Sequence, residues 1–208
     1  MTRTPRTIAF WHGRLPHWEV EDGRYFITIH LSGAIPHEDR LRLRQLSNEI
    51  AHKNDCSAPD WLRLSRLIFQ EMEHWLDSVP TVTHLQNSDV AAMVTDAIEH
   101  RQRRRDWQML EYVVMPTHIH LFCELGGEMK TILEDFKRWT GHEAIKILGS
   151  GKDSRFWQRE WFDHWSRSDE EDERISRYIR NNPVKAGLAS DFAQWEWGSW
   201  QVRPAGRD

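Results

Sequence analysis

Residues 107–125, WQMLEYVVMPTHIHLFCEL, constrain the fold of this chain more than any other segment. Strand-forming residues flank Pro116 and Thr117. Because proline lacks the N–H that a sheet interior needs, the run predicts two strands with their bend at this pair. Side chains two positions apart on a strand point the same way. His118 and His120 are therefore expected to share one face of the second strand, with aliphatic residues on the other.

The remaining segments mix predicted helices with single strands. Residues 23–33 and the aromatic run 155–165 favour strands. Asp60 and Ser88 are expected to cap two helices, Ser168 with Glu171 forms a capping box for the last one, and Pro183 is expected to end it. The predicted helices cover residues 37–54, 61–79, 88–105, 129–148 and 168–182. Their predicted buried stripes, spaced at i, i+3 and i+4, include Leu64, Leu67, Ile68, Met72 and Trp75, then Val90, Met93, Val94, Ala97 and Ile98, then Ile132, Leu133, Phe136 and Trp139.

The order of these elements predicts an α+β sandwich in which helices pack on a mostly antiparallel central sheet. A length of 208 residues suits one domain, and no repeat or low-complexity linker divides the chain. We expect a single domain over residues 1–208, with a helical insertion at about 37–87.

Composition limits the location of the protein and its partners. The net charge of −4 argues mildly against nucleic-acid binding, but the charge is segregated, with arginines at 101–105 and acids at 169–173. Two distant cysteines, Cys56 and Cys123, fit a reducing compartment rather than a disulfide framework. With no apolar signal core and no membrane-length run, we expect a cytoplasmic protein.

Two groups of residues suggest chemistry, and each has a plain structural alternative. His118 and His120 would project two imidazoles at a fixed separation, as a metal site requires, but the pair taken alone favours two surface-facing histidines. On the last helix, Tyr178 and Asn182 share a face one turn apart. They are equally consistent with a core aromatic residue and an asparagine that closes the helix before Pro183.

Several motifs in the same order resemble the single-tyrosine HUH transposases of the IS200/IS605 type, and most closely their REP-associated tyrosine transposase branch. The motifs are LPHWEVEDGRYFITIHLSGAIP, LEYVVMPTHIHLFCEL, FKRWTGHEA, FWQREWFDHW, YIRNNPVKAGLA and WEWGSW. They span most of the chain. The family usually has asparagine where Thr117 stands, and since both residues form local turn hydrogen bonds, we expect the site to be kept.

The resemblance implies an HUH sandwich of the ferredoxin-like type and metal-dependent cleavage and strand transfer on single-stranded DNA with a hairpin or palindromic, REP-like sequence. It implies that His118, His120 and Asn182 bind Mg²⁺ or Mn²⁺, and that Tyr178 is the nucleophile that forms a 5′-phosphotyrosine. Insertion-sequence members are dimers that share sites between subunits, so a homodimer is one assembly that the resemblance allows.

Contacts to DNA are harder to predict. The candidate phosphate-binding residues are Arg177, Arg180, Lys137, Arg138, Arg155 and Arg104, with Arg101, Arg103, Arg105 and Arg159 as further candidates. Trp157 and Trp161 are candidates for stacking on bases. The alternatives are solvated faces and core tryptophans. At the level of function, the alternatives are a non-catalytic hairpin-DNA-binding protein of the same fold and a hydrolytic nuclease. A structural zinc protein is disfavoured because no further soft ligands are evident.

Overall fold

The computed structural model describes residues 2–12, 15–51, 58–76, 82–151 and 154–201. Its strands are β1 (Thr7–His12), β2 (Pro16–Val20), β3 (Arg24–His30), β4 (Trp107–Val114), β5 (His118–Leu125) and β6 (Phe162–Trp165). Its helices are α1 (His37–Ala51), α2 (Ala58–Leu76), α3 (Ser88–Arg104), α4 (Met129–Ile147) and α5 (Asp169–Lys185). Within this part of the chain, no helix has both the length and the apolar character needed to cross a membrane.

The centre of the fold is a four-stranded sheet in the order β4-β5-β3-β6, and every neighbouring pair is antiparallel. The predicted α+β sandwich with an antiparallel sheet is confirmed. β5 is an interior strand, with His118 opposite His30 and His120 opposite Thr28 on β3. A rigid interior strand therefore carries both histidines.

The two faces of the sheet are covered by different helices. Trp107 pairs in register with Leu125 and packs against α3 and α4, donating its indole N–H to the Ile98 carbonyl and contacting Phe136. The opposite face, which carries His118 and His120, is covered by α2 and α5: Phe69 of α2 contacts Phe26, and Tyr178 of α5 contacts His120. Strand periodicity thus directs both imidazoles toward α2 and α5.

The sheet has covered edges. The predicted aromatic tail pairs with the outer side of β4, where Val114 donates to the Trp197 carbonyl at 2.7 Å and Ser199 donates to the Tyr112 carbonyl at 3.0 Å. β1 and β2 form a separate antiparallel hairpin that the sequence did not predict, and its β2 strand lies beside β6. The Tyr25 hydroxyl fixes this hairpin by hydrogen bonds to the backbone N–H and carbonyl of Val20.

Four predictions about helix ends require comment. Asp60 is not an N-cap, because α2 already begins at Ala58; the rest of the predicted preceding loop, residues 53–57, lies outside the described residues. Asn87, not Ser88, caps α3 by accepting from the N–H groups of residues 89 and 90. Ser168 caps α5 as predicted, accepting from the Glu171 N–H. Pro183 does not end α5, which continues to Lys185.

The predicted buried stripes are mostly correct for residues that the structure describes. Leu67 and Trp139 are wrong, since they are 43% and 50% exposed, and Trp75 and Met93 are half-buried. The side chain of Leu64 lies outside the described residues. The acidic run at the start of α5 is largely paired: Arg3 and Arg24 contact Asp172 at 2.7 and 2.6 Å.

Candidate functional site

The two histidines of β5 form a buried pair. Their Nε2 atoms are 3.0 Å apart, their ring centroids are 4.5 Å apart, and both side chains are inaccessible to solvent. Burial, followed by the neighbouring His120, holds the pKa of His118 well below 6.5. His118 is therefore a neutral imidazole, which is the form that binds metal ions.

Threonine hydroxyls orient both rings. Thr117 Oγ1 lies 2.7 Å from His118 Nδ1, and Thr28 Oγ1 lies 2.9 Å from His120 Nδ1. Thr117 also donates to the Leu76 carbonyl at 3.4 Å, so in this arrangement His118 donates from Nδ1 and keeps a lone pair on Nε2. Such contacts to the far nitrogen fix the tautomer of metal-binding histidines. Thr117 thus makes a local contact, as expected for a residue in this turn.

Glu73 of α2 joins the pair, and the sequence analysis did not identify it. Its Oε1 lies 3.5 Å from His120 Nε2, and ligand atoms of Glu73, His118 and His120 lie within 4.8 Å of one another. Burial raises the pKa of Glu73, whereas His118 and Lys185 act in the opposite direction. The missed signal was its spacing: Glu73 follows Phe69 by four residues and precedes Leu76 by three, on the apolar side of α2.

Tyr178 of α5 packs against this cluster. Its ring centroid is 5.5 Å from that of His120 with an interplanar angle of 63°. Lys185 follows Asn182 by three residues on α5, and its Nζ lies 3.8 Å from Glu73 Oε2. Asn182 is buried and lies between these two contacts on α5. The structure therefore brings together the predicted tyrosine and histidines, and Asn182 lies on the segment of α5 that faces them.

Unsatisfied polar atoms concentrate at this point. Among the described residues, buried side-chain atoms without a hydrogen-bond partner include both carboxylate oxygens of Glu73, the Tyr178 hydroxyl and both amide atoms of Asn182. Each such group typically costs ~1–3 kcal/mol. Buried polar groups are normally satisfied, so this concentration indicates a site built to contact something outside the polypeptide.

The predicted DNA-binding residues do not converge on the cluster. Arg177 is exposed and Arg180 is bound to Glu111 at 2.7 Å; both line a surface cavity with Phe122 and Phe192. Arg104 and Arg138 are exposed on α3 and α4 and pair with Asp106 and Asp135. Arg155 is exposed in the segment between α4 and β6.

Lys137 and the two candidate stacking tryptophans take part in packing. Lys137 donates to the Arg159 carbonyl at 2.5 Å and lies 5.1 Å from the Trp161 ring, and burial lowers its pKa to about 8. Trp157 is buried and donates to Thr140 at 2.8 Å. Trp161 is buried beside His17. For both tryptophans the stacking role is wrong as the structure stands, since neither offers an open ring face to a base.

Comparison with known proteins finds a family match and similar solved structures. Residues 81–182 match the family described as "Transposase IS200 like". The fold resembles a solved structure entitled "Structure of the REP associates tyrosine transposase bound to a REP hairpin", with a TM-score of 0.56 and 16% identity, over 91% of this chain and 83% of that chain. No curated protein matches the chain.

Proposed function

We propose that this chain, whose residues 81–182 match the IS200-like transposase family, is a member of that family and cleaves and rejoins single-stranded DNA with Tyr178 as its nucleophile. The observation that carries the proposal is the meeting of α5 with β5. The Tyr178 ring lies 5.5 Å from that of His120, and its hydroxyl is buried without a partner. A DNA phosphate at this position would satisfy that hydroxyl.

The proposed metal ligands are His118, His120 and Asn182, with Glu73 as a further ligand supplied by α2. The neutral imidazole of His118, the imidazole of His120 and the unpartnered carboxylate and amide oxygens are a donor set that fits Mg²⁺ or Mn²⁺. When bound, such an ion would neutralise charge on the phosphate oxygens. Thr28 and Thr117 would keep both rings in the orientation that binding requires.

The chemical step would be an in-line substitution at phosphorus. Tyr178 Oη forms a bond to phosphorus while the bond to the 3′ oxygen breaks, and the phenol proton ends on that released oxygen. The products are a 5′-phosphotyrosine and a free 3′-OH. Because the phosphoester is conserved, a second 3′-OH can attack it and rejoin strands without a nucleotide cofactor.

The proposed substrate is a DNA hairpin with single-stranded flanks. Support comes from the structural neighbour, which is a REP-associated tyrosine transposase bound to a REP hairpin. Arg177 and Arg180, on the exposed part of α5, are the candidate phosphate contacts closest in sequence to Tyr178, while Arg104, Lys137, Arg138 and Arg155 would have to contact DNA further along its path.

We infer that the chain acts as one domain in which the helices within about 37–87 are an insertion. The support for this inference is that α2 lies within that range and carries Glu73 and Phe69, which contact the site. The insertion would then be part of the catalytic unit rather than an appendage.

The test is a denaturing gel of labelled hairpin DNA incubated with protein and Mg²⁺ or Mn²⁺. We expect a protein-linked DNA band for the parent, and none for Tyr178→Phe. His120→Ala should also lose the band while retaining most of its DNA affinity. Tyr25→Phe is the matched control: it removes a hydroxyl bonded to Val20 on the other face of the sheet, so it should lower stability and keep the band.

The other outcomes separate the alternatives. Cleavage that survives in Tyr178→Phe would identify a hydrolytic nuclease. Retarded mobility on a native gel, with no cleavage by the parent in either metal, would identify a non-catalytic hairpin-binding protein.

A further inference from the structure

A pocket of about 220 Å³ opens between α2 and α5 beside Tyr178. Its aromatic lining consists of Phe26 and Phe162 from the sheet, Phe69 from α2 and the ring of Tyr178 itself. Pockets for drug-sized ligands typically measure ~300–1,000 Å³. This smaller volume suits a single flat ring system rather than a whole nucleotide or an extended peptide.

Phe69 is the central aromatic residue of the pocket. Its ring centroid is 5.1 Å from that of Phe162, 5.2 Å from Phe26 and 5.6 Å from Tyr178. The Phe69 side chain is half-buried, so part of its surface faces the pocket. An inserted aromatic ring would contact this group of rings without displacing the sheet.

The mouth of the pocket is positively charged although the chain is acidic overall. Arg66 and Arg174 line it and are exposed. Burial lowers the pKa of Arg167; Glu171 opposes this effect and the nearby positive charge of Arg66 adds to it. Glu171 also lines the pocket, but it is already bound to His164 at 3.0 Å and to the Arg167 N–H at 2.8 Å.

From these contacts we propose that the pocket binds one unpaired nucleobase of the DNA strand, with Arg66 and Arg174 on the adjoining phosphates. This inference rests on the proposed function, because it places the base next to the phosphate that Tyr178 attacks. A base offers two apolar faces joined to an anionic backbone, which matches an aromatic cavity with a cationic mouth. Ser65 and His164 lie in the lining where the edge of a base would meet them.

The experiment measures binding without cleavage, in EDTA and in a Tyr178→Phe background. Two probes are compared by fluorescence anisotropy: a DNA hairpin with mixed-sequence single-stranded flanks and the same hairpin with blunt ends. Phe69→Leu should weaken binding of the flanked probe roughly 5- to 150-fold, the range that stacking on one aromatic ring supplies. Binding of the blunt probe should not change.

Two further variants protect the test against misfolding. Arg66→Gln changes an exposed side chain and should reduce the salt dependence of flanked-probe binding by about 0.7 in log–log slope, as expected for one lost phosphate contact on a single strand. Trp139→Leu removes an exposed aromatic residue from α4 and should bind both probes like the parent. Probes carrying 5-iododeoxyuridine in the flank should cross-link to peptides containing residue 69 or 162.

The decisive quantity is the ratio of affinities for the two probes. If Phe69→Leu leaves that ratio unchanged, the pocket does not bind a base, whatever the cross-linked peptides are. This failure is distinct from failure of the proposed function. If the parent forms covalent adducts and Phe69→Leu keeps the ratio of flanked-probe to blunt-probe affinity unchanged, only the base-binding pocket is overturned. If Phe69→Leu lowers that ratio but the parent forms no adducts, only the catalytic role is overturned.

Discussion

Replacing Glu73 by methionine should make the metal-free protein more stable. The carboxylate is 9% exposed, and neither oxygen has a hydrogen-bond partner. Its nearest cation is Lys185 at 3.8 Å, whose side chain is 51% exposed, so that pair is expected to contribute only ~0–1 kcal/mol. Removing unsatisfied buried oxygens recovers ~1–3 kcal/mol each, and replacing buried charged groups by apolar side chains of similar volume is often stabilising by ~1–4 kcal/mol.

The net expectation is a gain of ~1–3 kcal/mol in the free energy of unfolding in EDTA. For a chain of this size that corresponds to a rise in Tm of about 2–12 °C. Most substitutions of buried residues destabilise, so a gain at this position would be a specific sign of a side chain retained for function.

Mn²⁺ should stabilise the parent more than the variant. At an ion concentration of ~100 Kd the parent gains ~2.7 kcal/mol from binding. If loss of the carboxylate raises Kd tenfold, the variant gains ~1.4 kcal/mol at the same concentration, and correspondingly less if Kd rises further. The parent should therefore show the larger metal-induced shift in Tm.

Thermal unfolding in EDTA and in a Mn²⁺ titration measures both effects. Glu71→Met is the matched control on the same helix, because Glu71 pairs with the exposed Arg42 at 3.3 Å and has no contact with the histidines in the structure. A loss of several kcal/mol in EDTA for Glu73→Met would refute the view that this carboxylate is unsatisfied. Equal Mn²⁺-induced shifts in parent and variant would refute its role as a ligand.

Two further predictions test the surroundings of the site. Thr117→Val removes the hydroxyl bonded to His118 Nδ1 and should lower metal affinity about 10- to 100-fold, as measured by isothermal titration; unchanged affinity would contradict the orienting role. The variant should also lose ~1–3 kcal/mol of stability, because the buried Nδ1–H is left without its acceptor. Burial opposes protonation of His17, but Asp163 and Glu160 outweigh it and raise its pKa from 6.5 to about 9. This raised pKa contributes ~3 kcal/mol that is fully present below pH 6.5 and is lost as the pH rises through about 9. Urea denaturation of the parent should show that decline, and His17→Gln should not.

The parts of the site that lie on regular, strongly patterned segments were predictable. Strand alternation determines that His118 and His120 face one way, and helical spacing determines that Tyr178 and Asn182 share a face. Neither pattern reveals that the two faces meet. That required the similarity of several motifs to one family, and the structure then gave the contact between Tyr178 and His120.

Glu73 was missed because amphipathic patterns treat every carboxylate as solvent-facing. On α2, Leu67 was predicted to belong to the buried stripe and Glu73 was not, yet Leu67 is 43% exposed and Glu73 is buried. The helix is therefore rotated relative to the prediction. Burying an acidic residue alone is costly. The rotation is physically reasonable if Glu73 shares a cation with His118 and His120, because the cation would then offset that cost.

The β1–β2 hairpin was missed for a different reason. Its two strands are short and have weak alternation, and β1 leaves Ile8 and Phe10 exposed. The hairpin depends on contacts remote in sequence, such as the bond between buried His17 and Asp163 of β6. Local propensity carries no information about such contacts.

Pro183 shows how an exception to a local rule can serve the site. Proline inside a helix removes one backbone hydrogen bond and disfavours helical geometry in the residue before it, so a helix end at Asn182 was the reasonable prediction. Instead α5 continues to Lys185, and this last turn brings the Lys185 Nζ to 3.8 Å from Glu73. Had the helix ended at Asn182, the buried carboxylate would have lost its nearest cation. Sequences break local rules most often where function requires it, and here the extra turn lies beside the proposed metal ligands.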